Sequence, residues 1–140
     1  DVKREGRGYT FVLRPEEFSI HRLPPEAAPD LAHLRGAAWY SVTRSEEELS
    51  VVAPREIDLG AVRREDGWSC LGIAGRLDFS LVGVIADIAG LLAKAGVSLF
   101  AVSTYDTDYI LVKTADIKRA VGSLSDAGHT VRSGDGGSHI

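Results

Sequence analysis

The residues best suited to chemistry lie in a segment bounded by Gly75 and Gly83, with the sequence GRLDFSLVG. It leads into the clearest apolar helix pattern of the chain, and the first N–H groups of a helix have no intrahelical partners. These donors and the positive end of the helix dipole favour a carboxylate or phosphate. Asp78 could accept a hydrogen bond from an ammonium group beside that anion, so the pair would suit a zwitterionic amino acid. The alternative is that Asp78 or Ser80 caps the helix and that Gly83 permits close packing.

A second candidate is the polar segment Ser103–Tyr109, in which hydroxyl and carboxylate residues are crowded between two apolar strands. Such groups could supply oriented donors and acceptors for a small ligand. They are also typical of a hairpin turn, where Asp and Thr side chains hydrogen-bond to nearby backbone. The candidate side chains of this segment are Ser103, Thr104, Asp106, Thr107 and Asp108.

Catalytic and metal chemistry have little support in the sequence. The four histidines show no spacing with carboxylates or with each other that suggests a metal site. The single cysteine, Cys70, lies in an apolar run, which favours a buried small hydrophobic residue over a nucleophile. An acid–base cluster of Asp78, Asp106 and Asp108 is the enzymatic alternative. We therefore expect no enzyme activity, no cofactor and no bound metal.

Composition excludes several classes of partner. The formal net charge of −4 argues against a surface for nucleic acid or anionic membrane, and no apolar run approaches the roughly 20 residues needed to span a bilayer. A lone cysteine fits a reducing compartment, and the polar residues Asp1–Arg7 lack the apolar core of a signal peptide. The sequence therefore predicts a cytoplasmic protein.

The pattern of apolar residues predicts an α+β fold with antiparallel sheets. In the first half we expect strands at Tyr9–Leu13 and Phe18–Leu23 with a turn at Arg14–Glu16, a short helix within 26–34, and a hairpin of strands 38–43 and 49–53. The second half, after a turn at Asp66–Gly67, predicts strand 68–74, helix 81–95, strands 98–103 and 109–113, a helix from Thr114 and a last short strand.

This second half has the βαββαβ order of a ferredoxin-like unit, and the first half is an abbreviated version of it. We expect a flexible N-terminus at 1–8, a first unit with its linker at 9–66, a second unit at 67–132 and a disordered tail at 133–140. Open sheet edges carry unpaired backbone groups, so we expect pairing within the chain, between chains, or both.

The segments Gly75–Gly83 and Ser103–Val112 together resemble the ACT-domain superfamily, in particular the tandem-ACT subgroup of small bacterial proteins and cytosolic arginine sensors of animals. Trp39–Ala53 is similar to the first half of those bacterial proteins, and the resemblance runs from about Tyr9 to Arg132. It implies ligand sites at interfaces between ACT units. On the matching positions, the helix-end part of such a site would consist of Asp78, Phe79, Ser80, Leu81, Val82 and Gly83. The side-chain part would come from the five candidates of the second segment.

The resemblance implies a non-catalytic regulatory sensor of an amino acid or a similar small ligand. The animal sensors carry more ACT units per chain, so an interface site of the same kind would need a second copy, and we expect a homodimer. A regulated protein partner is compatible with this interpretation. The alternatives are an oligomerisation or protein-interaction module without a small ligand and, less favoured, a small enzyme that uses Asp acid–base chemistry.

Overall fold

The computed structural model describes residues 8–28, 31–75 and 83–134. In chain order the elements are β1 (Thr10–Leu23), α1 (Leu31–Arg35), β2 (Ser41–Arg44), β3 (Leu49–Pro54), β4 (Arg63–Ile73), α2 (Val84–Lys94), β5 (Leu99–Ser103), β6 (Asp108–Lys113), α3 (Ile117–Asp126) and β7 (Thr130–Ser133). The chain divides into two compact units. The smaller unit is Glu16–Trp68, and the larger one contains the described residues up to Pro15 and from Ser69 onward.

The larger unit has the strand order β7–β1–β4–β6–β5. Its β1 residues Thr10–Leu13 pair in parallel with β7, and β5 pairs antiparallel with β6. Helices α2 and α3 share one apolar core with alternate residues of these strands. The helix α2 buries Val84, Ile88 and Leu92, whose four-residue spacing places them on one face. These three buried residues fix the position of α2, which directly follows the first candidate segment, Gly75–Gly83.

The smaller unit has the strand order β2–β3–β1–β4. The register of β1 on β3 runs antiparallel from Phe18 opposite Pro54 to Leu23 opposite Leu49. Its core consists of Leu23, Leu34, Leu49, Val51 and Ala53, with Ala27, Ile57, Leu59 and Ala61 packed against it.

The expected α+β class, with ferredoxin-like units and an abbreviated first unit, is confirmed. The larger unit contains the βαββαβ order from β4 to β7, but its sheet has a further strand because β1 lies beside both β4 and β7. The division between the units follows Trp68, and the start of β1 belongs with the larger unit, which differs from the expected division after residue 66.

Two expected turns are absent. The predicted turn at Arg14–Glu16 is wrong because β1 is continuous through Pro15, which is exposed and has no N–H for a ladder bond to lose. The predicted turn at Asp66–Gly67 is also wrong, since β4 continues through it. Gly67 has a φ of +86°, so the glycine serves an irregularity within the strand and not its end.

Candidate functional site

Five of the six helix-end candidates lie outside the described residues: Asp78, Phe79, Ser80, Leu81 and Val82. The sixth, Gly83, is exposed and immediately precedes α2 with a φ of +83°. No side chain of the described residues caps the helix at this point. A Cβ added to Gly83 would meet no described atom within 4 Å, so among the described residues only the positive φ accounts for a glycine here.

The second candidate segment forms the turn of the β5–β6 hairpin. Ser103 and Asp108 are the last paired residues of the two strands. Within the turn, the Thr104 N–H donates to the Thr107 carbonyl oxygen at 2.8 Å, and Thr104 Oγ1 donates to the same oxygen at 3.0 Å. Thr104 Oγ1 also accepts from the Thr107 N–H at 3.3 Å. The hydroxyl of Thr104 therefore stabilises the turn, as the structural alternative predicted.

The side chain of Thr107 connects this turn to the end of β4. Its Oγ1 donates to the carbonyl oxygen of Ile73 at 2.9 Å, and Thr107 is 9% exposed. Ile73 is the last residue of β4, where the chain leaves the sheet towards Gly83 and α2. The hydrogen bond therefore places the polar turn at the sheet end from which the other candidate segment departs.

The charged groups of the turn are both acidic. Ser103 and Asp106 are exposed, and Asp108 is half-buried. The sequence from Leu99 to Val112 contains two carboxylates and no basic residue. This surface can accept hydrogen bonds from a cationic group, whereas an anionic group would have to be held elsewhere.

The described residues contain no group of side chains arranged to bind a metal ion. Across the described ranges, no cluster of three or more His, Cys, Asp or Glu residues could hold a metal ion. Cys70 is fully buried, as its apolar surroundings predicted. Asp78 lies outside the described residues, so the enzymatic trio with Asp106 and Asp108 has no described geometry. In the part of the chain that is described, no helix has the length and apolar character needed to cross a membrane.

This part of the chain is similar to known proteins. Residues 63–126 match the family model of the ACT domain. The chain contains an ACT domain. The proteins named "Cytosolic arginine sensor for mTORC1 subunit 1" of Pongo abelii and Homo sapiens are similar to it, with 30% and 29% identity over 103 residues. Each alignment covers 68% of this chain and 31% of the relative, so the chain spans about a third of the length of the curated relatives it matches.

Solved structures show the same fold. A crystal structure of a protein from Agobacterium tumefaciens is 28% identical, with a TM-score of 0.83 and coverage of 95% of this chain and 98% of that one. The regulatory subunit of aspartate kinase from Thermus thermophilus is 12% identical, with a TM-score of 0.60 and coverage of 84% and 96%. These structures share the fold, and the family match over residues 63–126 confirms the resemblance to the ACT superfamily that the sequence motifs indicated.

Two buried histidines were not among the candidates predicted from the sequence, where histidines were weighed only as metal ligands. In the larger unit, which carries most of the ACT domain, His129 Nδ1 accepts from the Tyr9 N–H at 2.8 Å, and the two rings are stacked. In the smaller unit, His21 is fully buried on the inward side of β1. The alternation of buried residues along β1 could have predicted that His21 faces inward. The neighbouring sequence does not show whether its ring nitrogens have hydrogen-bond partners.

An acid-and-base network lies near His21. Ser19 Oγ donates to Asp66 Oδ1, and the Arg64 guanidinium donates to the same oxygen at 2.8 Å. The Ser19 hydroxyl first, and then Arg64, lowers the pKa of the Asp66 carboxyl below its usual range. These hydrogen bonds favour the charged carboxylate form of Asp66.

A separate groove of about 610 Å³ lies between α2 and α3. Its walls include Leu91 and Ala95 near the C-terminal end of α2, and Gly122 of α3. Because Gly83 precedes the opposite end of α2, this groove does not adjoin the candidate segment.

Proposed function

We propose that the protein is a non-catalytic regulatory module that binds an amino acid or a similar small ligand where β4, the β5–β6 turn and the start of α2 meet. The observation that carries this proposal is the hydrogen bond from Thr107 to Ile73, which joins the acidic turn to the end of β4. The ACT domain and the relatives named as arginine sensors support a role in amino-acid sensing.

The proposed roles within the site follow from the hydrogen bonds of the two threonines and from the charge of the two aspartates. Thr104 and Thr107 shape the turn, since their hydroxyls bond to backbone oxygens. Asp106 and Asp108 are proposed to accept from the ammonium group of the ligand. The ligand carboxylate would face the start of α2 after Gly83, where no described side chain caps the helix. On the helix side, we propose that the residues from Asp78 to Val82 also contribute to the ligand site.

A second copy of the chain is proposed to complete the site. The chain aligns with about a third of the length of its curated relatives, and a second copy of the chain could supply the neighbouring units that an interface site needs. Among the described strands, β5 stands at the end of the strand order beside β6, and an edge in this position could pair with a neighbouring sheet. We therefore propose a homodimer, with a regulated protein partner as the downstream target.

Thermal unfolding of the full chain with each of the twenty amino acids tests the proposal. A ligand that binds the folded state should raise the midpoint with concentration, corresponding to about 2.7 kcal/mol at a hundredfold excess over its dissociation constant. We expect Asp106→Asn and Asp108→Asn to reduce this increase. The matched control is Glu47→Gln, at the corresponding position of the β2–β3 turn, which should retain it.

The absence of any increase at millimolar concentrations of all twenty amino acids would contradict ligand binding. It would favour the second candidate, an assembly module, which the internal use of the Thr104 and Thr107 hydroxyls supports. That function predicts a self-association, measured by sedimentation, that amino acids leave unchanged.

A further inference from the structure

The imidazole ring of His21 is fully buried in the smaller unit. His21 has no exposed surface, and among the described residues neither Nδ1 nor Nε2 has a partner. It lies between Ser19 and Leu23 on the inward side of β1, with Val51 of β3 as its cross-strand neighbour. A neutral ring leaves one donor and one acceptor unsatisfied there, and a protonated ring would leave two donors and a charge.

The charged groups that face His21 favour the neutral ring. Arg64 and Asp66 of β4 and Asp58 of the segment after β3 act on it, whereas α1 contributes the buried, apolar Leu34 to the same core. Burial first, and then Arg64, lowers the pKa of His21 below its ordinary value of 6.5. The two carboxylates act in the opposite direction and offset this only in part.

The guanidinium of Arg64 is held in place by several acceptors. Its Nη2 donates to the Arg55 carbonyl oxygen at 2.8 Å and to Ser19 Oγ at 3.1 Å, and its Nε donates to Asp66. A charged His21 could therefore not displace Arg64 without breaking these bonds. Nor is Asp66 a ready partner for the ring, since Ser19 and Arg64 already share its Oδ1.

We propose that proton uptake by His21 opens the core of the smaller unit at mildly acidic pH, so that residues 16–68 form an acid-sensitive element of the protein. In the opened state the ring is hydrated and titrates near 6.5. In the closed state the proton is disfavoured by the apolar core and by Arg64. Lowering the pH therefore shifts the equilibrium towards the open state, by about tenfold between about pH 7.5 and about pH 5.5 if the closed state takes up no proton.

Hydrogen–deuterium exchange of the full chain at these two pH values tests this proposal, with rates expressed as protection factors to remove the intrinsic effect of pH. The informative peptides cover Phe18–Leu23 and Leu49–Pro54, the paired segments around His21. Their protection should fall by up to about tenfold at the lower pH. Exchange in the larger unit, which contains His129, is measured on separate peptides, so it does not affect the protection factors of these two segments.

Two substitutions identify the responsible group. In His21→Leu, which fills the site with an apolar side chain that cannot titrate, the fall in protection should disappear. In His33→Gln, which removes an exposed histidine of α1 in the same unit, the fall should remain. Equal pH dependence in His21→Leu and the wild type, or no pH dependence in the wild type, would overturn the proposal.

Direct titration of the wild-type His21 ring by NMR gives a second test that does not require a variant to fold. If the ring takes up its proton with the β3 amides still protected, the core accommodates the charge and the proposal is wrong. Proton uptake that coincides with loss of β3 protection supports it.

Discussion

Replacing Thr107 with Val should destabilise the larger unit by about 1–3 kcal/mol. Valine keeps the volume and branching of threonine but has no donor for the Ile73 carbonyl oxygen, which now accepts from Thr107 Oγ1 at 2.9 Å. The bond is buried, with Thr107 only 9% exposed. The upper part of the range applies if the carbonyl is left without any donor, and the lower part applies if water reaches it.

Urea unfolding can assign this loss to one unit. Helices α2 and α3 belong to the larger unit, whereas the smaller unit contributes the five-residue α1, so circular dichroism at 222 nm reports mainly the larger unit. Both tryptophans of the chain, Trp39 and Trp68, lie in the smaller unit, so their fluorescence provides an internal reference. The dichroism midpoint should decrease in Thr107→Val.

A matched substitution separates the buried bond from the turn itself. Thr104→Val removes hydroxyl bonds in the exposed part of the same turn, so it should cost less, about 0.5–1.5 kcal/mol. An unchanged dichroism midpoint in Thr107→Val, or a larger loss in Thr104→Val, would refute the anchoring role of Thr107.

Three further substitutions follow from the packing. In Gly72→Ala, the added Cβ would lie 3.0 Å from Cε1 of Tyr109, so the ring must move, and we expect a loss of about 1–3 kcal/mol in the dichroism-monitored urea midpoint. Leu92→Ala leaves a cavity at a fully buried position of α2 and should cost about 2–5 kcal/mol in the same assay, against a negligible change for an exposed alanine substitution. Ser19→Ala should raise the pKa of Asp66 towards 3.8, since the Ser19 hydroxyl is the largest cause of its lowering. The Asp66 carboxylate stabilises the folded state at pH values above its ordinary pKa, and this contribution is lost as the pH falls through the lowered pKa. NMR titration of the carboxylate checks the assignment, which an unchanged pKa of Asp66 in Ser19→Ala would contradict.

Local patterns in the sequence predicted the elements that depend on neighbouring residues. The spacing of Val84, Ile88 and Leu92 predicted α2, and Gly96 ends that helix region with a φ of +74°. The β5–β6 hairpin was predicted from two apolar runs around polar residues. These features need no knowledge of distant partners, because periodicity and turn chemistry act within a few residues.

Features that depend on distant residues were not predictable. Pro15 signals a break, but β1 is continuous because β7 pairs with one part of the strand and β3 with another. Likewise, the turn residues Thr104 and Thr107 are alike in sequence, and only the carbonyl of Ile73 distinguishes their roles. Among the described residues the His21 ring has no hydrogen-bond partner. This depends on all the elements packed around the ring, so no short motif could predict it.

The order in which the two units can be completed follows from the position of the smaller one within the chain. Residues 16–68 are contiguous in the chain, whereas the larger sheet must wait for the last strand, since Thr10 pairs with Thr130. If residues 16–68 close first, the effective loop between Thr10 and Thr130 is shorter, and the entropic cost of pairing them falls by about 0.5 kcal/mol. Until β7 is synthesised, the first residues of β1 present an unpaired edge, which makes the nascent chain most prone to aggregation at this stage.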